Sequence, residues 1–227
     1  MSNAMITGGS KGLGRALALA LADDGWDVVI TARTQRTLGD VAREGSPHIR
    51  AIAGNMRDES HRVRLADAVG PSLDLLVNNA SHLGPSPLLP IGAFDEDELH
   101  AVFDTNVVSP LALLGHVLPA LKQGDGVVIN VSSDAAVEAY ETWGPYGASK
   151  AALDHASAVL AREEPGLRVY AFDPGDMRTD LHKAAFPGED ISDRPLPETV
   201  VPVLRYLVSS GLLSGRYAAS DLPVDVR

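Results

Sequence analysis

Tyr146 and Lys150 stand four positions apart, directly after Pro145 and inside an alanine-rich run that predicts a helix. That spacing puts a phenol and an ammonium on one helical face, one turn apart. Ser133 lies upstream, at the end of an apolar run over 126–131 that reads as a strand. A hydroxyl, a phenol and an amine are the equipment of proton transfer. A free tyrosine titrates near pH ~10 and a lysine near ~10.4. A fixed ammonium favours the phenolate, so Lys150 is expected to draw the Tyr146 pKa down toward the working range. Ser133 can donate to an oxygen on which charge grows. Such a tyrosine–lysine pair also occurs as plain neighbours on a helix, and Ser132 and Ser133 both suit a strand-end turn. The elements around them have to discriminate.

Residues 1–7 read as a short apolar strand running into Gly8-Gly9-Ser10-Lys11-Gly12-Leu13-Gly14, and a helix follows with Leu13, Leu17, Ala20 and Leu21 on one face. Glycines allow close backbone approach, and the free N–H groups and dipole of a helix N-terminus favour an anion. The pattern Thr7-Gly8-x-x-x-Gly12-x-Gly14 is thus expected to hold a nucleotide's phosphates. The end of the second strand, 27–31, then reports which nucleotide. A carboxylate there would accept from ribose hydroxyls and repel a phosphate. This chain has Ala32-Arg33 instead, with Lys11 in the glycine loop. Two cations and no acid suit a 2′-phosphate, so NADP(H) is expected in preference to NAD(H).

Leu38, Val41 and Ala42 mark a second helix, 48–53 a weaker strand, and Asp58 caps a helix carrying Val63, Ala66 and Val69. Another strand follows at 73–77. The alternation predicts an α/β fold, a parallel sheet with helices on both faces. A helical region over 95–123 is expected to break near Ser109-Pro110, and 167–173 forms the strand after the Tyr146 helix. The Pro-, Gly- and charge-rich stretch 176–197 reads as a mobile excursion. A helix over 198–209 and an edge strand at 215–218 complete a single expected domain over 1–227.

Net charge is −11, which opposes nonspecific binding to nucleic acid or anionic lipid. There is no cysteine, which excludes disulfides and thiolate metal sites. No histidine pair has metal-site spacing, so no metal is expected. His61 and His155 read as ordinary helix residues. Neither a signal peptide nor a membrane-spanning segment is recognised, so the expectation is a cytoplasmic protein without membrane or nucleic-acid partners.

Thr7-Gly8-Gly9-Ser10-Lys11-Gly12-Leu13-Gly14, Asn78-Asn79-Ala80, Asn106, Ser133, Tyr146-x-x-x-Lys150 and Pro174-Gly175 stand in the order and spacing of the short-chain dehydrogenases/reductases. The chain resembles their compact, single-domain branch over nearly its whole length. The resemblance implies a Rossmann-type, doubly wound parallel sheet of about seven strands. It also implies hydride transfer between NADP(H) and a small-molecule carbonyl or alcohol, and assembly as a homodimer or homotetramer. Tyr146 would be the general acid/base, and Lys150 would lower its pKa and hold the nicotinamide ribose. Ser133, selected over Ser132 by the family's separation from the tyrosine, would bond the substrate oxygen. Asn106 would support a water chain reaching Lys150. Thr7, Gly8, Ser10, Lys11, Gly12, Leu13, Gly14, Arg33, Asn55, Met56, Asn79 and Ala80 would contact the cofactor. Pro174, Gly175, Met177 and Thr179 would wrap its nicotinamide. His82, Trp143, Leu181, His182 and Phe186, with Met177, would overhang it as candidate substrate contacts.

The chain departs from the family pattern at three places. Ser81 follows Asn78-Asn79-Ala80 where glycine is usual, and would add strain if the backbone there needs a glycine-only conformation, or else reshape the pocket floor. Asn55 replaces an aspartate common near the adenine, which predicts an altered contact. The ending Asp221-Leu222-Pro223-Val224-Asp225-Val226-Arg227 lacks the usual Asp-Gly-Gly, which puts the tetramer contact in doubt and leaves a dimer through 107–122 and 146–162. These departures motivate an alternative, a noncatalytic NADP(H)-binding redox sensor or assembly protein. Chemistry on nucleotide sugars is disfavoured, because those relatives carry a larger C-terminal substrate domain.

Overall fold

The computed structural model describes residues 2–224. Its strands are β1 (Asn3–Thr7), β2 (Asp27–Ala32), β3 (Ile49–Ala53), β4 (Leu75–Asn78), β5 (Val127–Val131), β6 (Arg168–Asp173) and β7 (Gly215–Ala218). They form one seven-stranded sheet in the order β3-β2-β1-β4-β5-β6-β7. Every neighbouring pair is parallel. The helices are α1 (Gly12–Asp23), α2 (Gln35–Glu44), α3 (Glu59–Val69), α4 (Glu96–Phe103), α5 (Ser109–Gln123), α6 (Gly144–Glu163), α7 (Asp180–Ala185) and α8 (Val201–Ser209).

Two cores lie on opposite faces of the sheet, and the strands divide their side chains between them with a period of two. Ala4 and Ile6, Leu75 and Val77, and Val127 and Ile129 join α1 and α8 through Leu17, Leu21, Leu204 and Leu207. Met5, Leu76 and Val128 join α3, α5 and α6 through Leu65, Leu113, Val117 and Leu160. Burial on both faces explains why β4 and β5 are apolar at every position but one, the paired Asn78 and Asn130. The sheet order reverses between β1 and β4, so a crevice opens at the C-terminal ends of those strands, where open α/β sheets bind ligands.

Several local expectations need correction. The helix over 95–123 does not break at Ser109-Pro110. It runs 28 residues from Glu96 to Gln123, through a π turn over Asp104–Val108. Pro110 has no N–H for the carbonyl four residues back, and the ladder widens one turn upstream instead of ending. That run is long and apolar enough to cross a bilayer by length and composition alone, against the sequence expectation. Its α5 half seats Leu113, Val117 and Leu121 on the sheet, as a core helix does. On α3 the buried stripe is His61, Leu65 and Val69, while Val63 is exposed. His61 takes a core position because Thr31 Oγ1 lies 2.7 Å from its Nε2. Asp58 is the N-cap by position, but its side chain makes no capping bond. The stretch 176–197 contains the helix α7. Met1 and residues 225–227, which belong to the first-strand and C-terminal expectations, lie outside the described residues.

Candidate active site

A cleft of about 940 Å³ follows the C-terminal ends of the strands from the glycine loop to the stretch around α7. At one end, α1 begins with no side-chain cap, so its first N–H groups are left to a ligand. Gly8 has φ +71°, and a Cβ there would lie 2.7 Å from Asn79 Nδ2 and 3.0 Å from Ala80 Cα. Asn79 Nδ2 donates to the carbonyls of Thr7 (2.9 Å) and Gly8 (3.2 Å), pinning the loop to the end of β4. Thr7 Oγ1 accepts from Asn79 N and Ala80 N, each at 3.0 Å. A Cβ on Gly14 would meet Gly8 O at 2.5 Å. Thr7 and Gly14, expected at the cofactor, do not line the cleft. They let the loop fold tightly, which is the other reason for such residues beside a phosphate turn.

Ser10, Lys11, Gly12, Leu13, Arg33, Asn55 and Met56 do line this end. Of its four cations, Lys11 pairs with Asp180 of α7 at 2.6 Å, Arg15 with Glu44 at 2.6 Å and Arg57 with Asp104 at 2.9 Å. Arg33 has no ion pair among the described residues, so it alone of the four is uncommitted. Of the two cations expected at a 2′-phosphate, Arg33 is thus the one without an ion pair, while the Lys11 pair with Asp180 is solvent-exposed. Asn55 Oδ1 accepts from Arg57 N at 3.1 Å, which shapes the turn after β3.

At the other end, Tyr146 and Lys150 of α6 point into the cleft and are 6% and 2% exposed. Ser133 stands at the start of the turn after β5, its Oγ donating to Asp134 Oδ1 at 2.9 Å and accepting from Ala135 N at 3.2 Å. Lys150 Nζ donates to Val131 O at 2.7 Å and sits 5.6 Å from the centre of the Tyr146 ring. The expected lowering of the phenol's pKa does not occur. Burial pushes Tyr146 up to about 12, while hydrogen bonds from Ser81 and Ser133 pull the other way and Asp173 and Asp134 add to the rise. Burial also brings the Lys150 ammonium down to about 8, with Asp154 opposing. Desolvation is the largest influence on the phenol, while Lys150 Nζ is held by the Val131 carbonyl.

Asn106 lies in the π turn, a feature frequent at functional sites. It is buried and does not line the cleft. Its Oδ1 accepts from His82 N (2.7 Å) and Ser81 Oγ (3.2 Å), and its Nδ2 donates to His82 O and Ser149 Oγ, both at 2.9 Å. Ser81 carries no positive φ, so serine costs nothing in backbone strain there, and its hydroxyl donates to Asn106 on the side of the site where it also influences the phenol. Sequence reading registered Ser81 only as a departure; its contacts are all long-range. Ser132 was passed over as well. It is on the cleft lining and 3% exposed, and its Oγ is buried with no hydrogen-bond partner among the described residues.

His82, Trp143, Leu181 and His182 line the cleft beside Tyr146, as do Pro174, Gly175, Met177 and Thr179. Trp143 meets the Tyr146 ring edge-on at 5.6 Å. Phe186 is not on the lining. It packs behind Trp143 at 5.9 Å and His182 at 4.9 Å, and so buttresses the wall it was expected to form. Among the described residues, no three potential ligands gather where they could hold a metal ion.

The model of the short chain dehydrogenase family matches residues 2–190. The chain belongs to the short-chain dehydrogenase/reductase family. It is 35% identical over 227 aligned positions to YhxC, an uncharacterised oxidoreductase of Bacillus subtilis, with 91% of this chain and 78% of that one covered. It is 33% identical to sepiapterin reductase of Mus musculus, covering 80% and 76%. A short chain dehydrogenase of Escherichia coli CFT073 solved in complex with NADPH superposes with a TM-score of 0.88 at 28% identity, covering 96% of each chain. The chain is accordingly an oxidoreductase of this family. A nicotinamide dinucleotide fits the residues present: the uncapped α1 and the Gly8 cradle suit its phosphates, and the unpartnered Ser132 hydroxyl awaits a polar group further along the cleft.

Proposed function

We propose that this dehydrogenase/reductase is an NADP(H)-dependent carbonyl reductase. The observation that carries the reading is the buried Tyr146 phenol, flanked by the Ser81 and Ser133 hydroxyls with Lys150 one turn along α6. The cofactor would supply the hydride. Gly8, Gly12, Leu13 and Ser10 would hold its phosphates, Arg33 its 2′-phosphate, Asn55 and Met56 its adenine, and Pro174 to Thr179 its nicotinamide end. Ser133 would donate to the carbonyl oxygen as charge develops, and Tyr146 would then hand its proton to that oxygen. A phenol held near 12 stays protonated at neutral pH, which suits an acid working on a strongly basic alkoxide. Asn106 would hold Ser81 and the 81–82 backbone in place, while Trp143, Leu181 and His82 would bound the substrate. The noncatalytic alternative loses one of its three motives, since Ser81 carries no positive φ.

For assembly, the exposed Val108, Leu111 and Val159 on α5, its π turn and α6 support a homodimer through these helices.

The test is Tyr146→Phe, assayed by NADPH oxidation over a panel of aldehydes and ketones. Turnover should fall by about 10²–10⁴-fold, with NADPH binding followed by fluorescence retained. Undiminished turnover would remove Tyr146 from the chemistry.

A further inference from the structure

Behind the cleft, the guanidinium of Arg216 on the edge strand β7 reaches three elements at once. Its Nε donates to Asp154 Oδ2 of α6 at 3.1 Å. Its Nη2 donates to the backbone carbonyl of Ser133 at 2.9 Å and to Asp173 Oδ2, at the end of β6, at 3.2 Å. The sheet register sets this up. Arg216 is opposite Ala171, and Asp173, two residues on, faces the same side. Each partner leads to a group of the site. Ser133 bears the hydroxyl proposed to bond the substrate oxygen. Asp173 Oδ1 accepts from Gly175 N at 3.0 Å and so shapes the Pro174-Gly175 turn. Asp154 is one helical turn beyond Lys150 and acts on its charge.

Exposed ion pairs contribute little, but here only the arginine end reaches solvent, the Arg216 side chain being 29% exposed. The Asp154 and Asp173 side chains are only 14% and 10% exposed. Asp154 Oδ1 is buried without any partner. Removing the guanidinium would strand two carboxylates next to the reacting groups. A planar fork can hold three acceptors in fixed directions, which an ammonium cannot.

We infer that Arg216 is a positioning residue for the reaction, anchoring Ser133 and the Pro174-Gly175 turn to α6 and neutralising the two carboxylates behind them. The inference rests on the carbonyl reductase reading above. It makes a pH signature accessible. The Tyr146 phenol is faced by Ser81, by Ser133 and Asp134 from the turn after β5, by Asp173 from β6 and by Lys150 on its own helix. With Arg216 gone, the uncompensated Asp173 carboxylate disfavours the phenolate further.

The experiment compares Arg216→Gln and Arg216→Lys with the wild type. Arg216→Gln should lower kcat by about tenfold or more through misplacement of Ser133, with a smaller loss of NADPH affinity through the loosened Pro174-Gly175 turn. The pH limb of alcohol oxidation, which needs the phenolate, should move to higher pH. Arg216→Lys should return that limb toward its original position without restoring kcat. Amide hydrogen exchange over 132–135 and 173–176 should quicken in Arg216→Gln, a readout independent of turnover. A wild type inactive on every carbonyl, with exchange still quickened in the variant, would refute the reductase reading and the catalytic role but leave the anchor. Wild-type-like turnover, pH limb and exchange in Arg216→Gln would overturn the inference, and so would full recovery of kcat by lysine.

Discussion

Arg33 shows how far a residue's type carries and where its neighbours take over. Arg33 and Lys11 are both cations suited to a 2′-phosphate, yet Lys11 has Asp180 beside it and Arg33 has no ion pair among the described residues. Arg33→Ala should therefore cost more of the preference for NADPH than Lys11→Ala, by about 1.5–3 kcal/mol, the usual worth of a charge-assisted hydrogen bond. Titrations of both nucleotides into the wild type and the two variants check this; an unchanged preference in Arg33→Ala would show that another group reads the phosphate. Ser81 makes the converse point. Sequence alone treats it as a missing glycine, whereas ordinary backbone geometry and the bond to Asn106 make it part of the site.

Among the elements, α3 is held to β2 by a buried polar pair. Arg64 Nη2 donates to His61 Nδ1 at 3.2 Å, which leaves Nε2–H to donate to Thr31 Oγ1. Burial and the nearby Arg64 and Arg62 lower the His61 pKa, with Asp58 opposing, and keep the ring neutral. Thr31→Val removes the acceptor while keeping the shape, so a buried donor goes unpaired. The expected loss is about 1–3 kcal/mol in a denaturant titration. Thr31 and Gly54 border the cleft, and a Cβ on Gly54 would lie 2.3 Å from His61 Nδ1. The pair thus also shapes the adenosine end. Apolar periodicity could not find this contact, because it places Val63 inward and overlooks a histidine with a distant partner. The π turn at Asn106 was hidden similarly, since Pro110 signals a disturbed ladder but not its resolution.

Across the whole molecule, the site is bought with stability. Lys150 has a folded pKa of about 8 against 10.5 unfolded, so between those values the unfolded chain binds more protons and stability rises with pH. Tyr146 acts oppositely, with about 12 folded against 10.0 unfolded, and stability falls as pH climbs from 10 toward 12. Lys150→Met should abolish the first rise, worth on the order of 3 kcal/mol across the window. It should also raise Tm near neutral pH, less what is lost with the bond to Val131 O. Thermal melts of wild type and variant from pH 7 to about 10 check the difference; parallel curves would contradict a strongly depressed lysine.

The sequence by itself determined the order of strands and helices, the glycine loop, the four-residue spacing of Tyr146 and Lys150, and the family. These depend on local periodicity and on residue types at short range. Only the tertiary structure decided which cation stays free beside the glycine loop and that Phe186 stands behind the wall. It also decided that burial dominates the titration of Tyr146, and that Arg216 gathers Ser133, Asp154 and Asp173. Those outcomes depend on desolvation and on contacts between residues far apart in the chain, and no local pattern carries either.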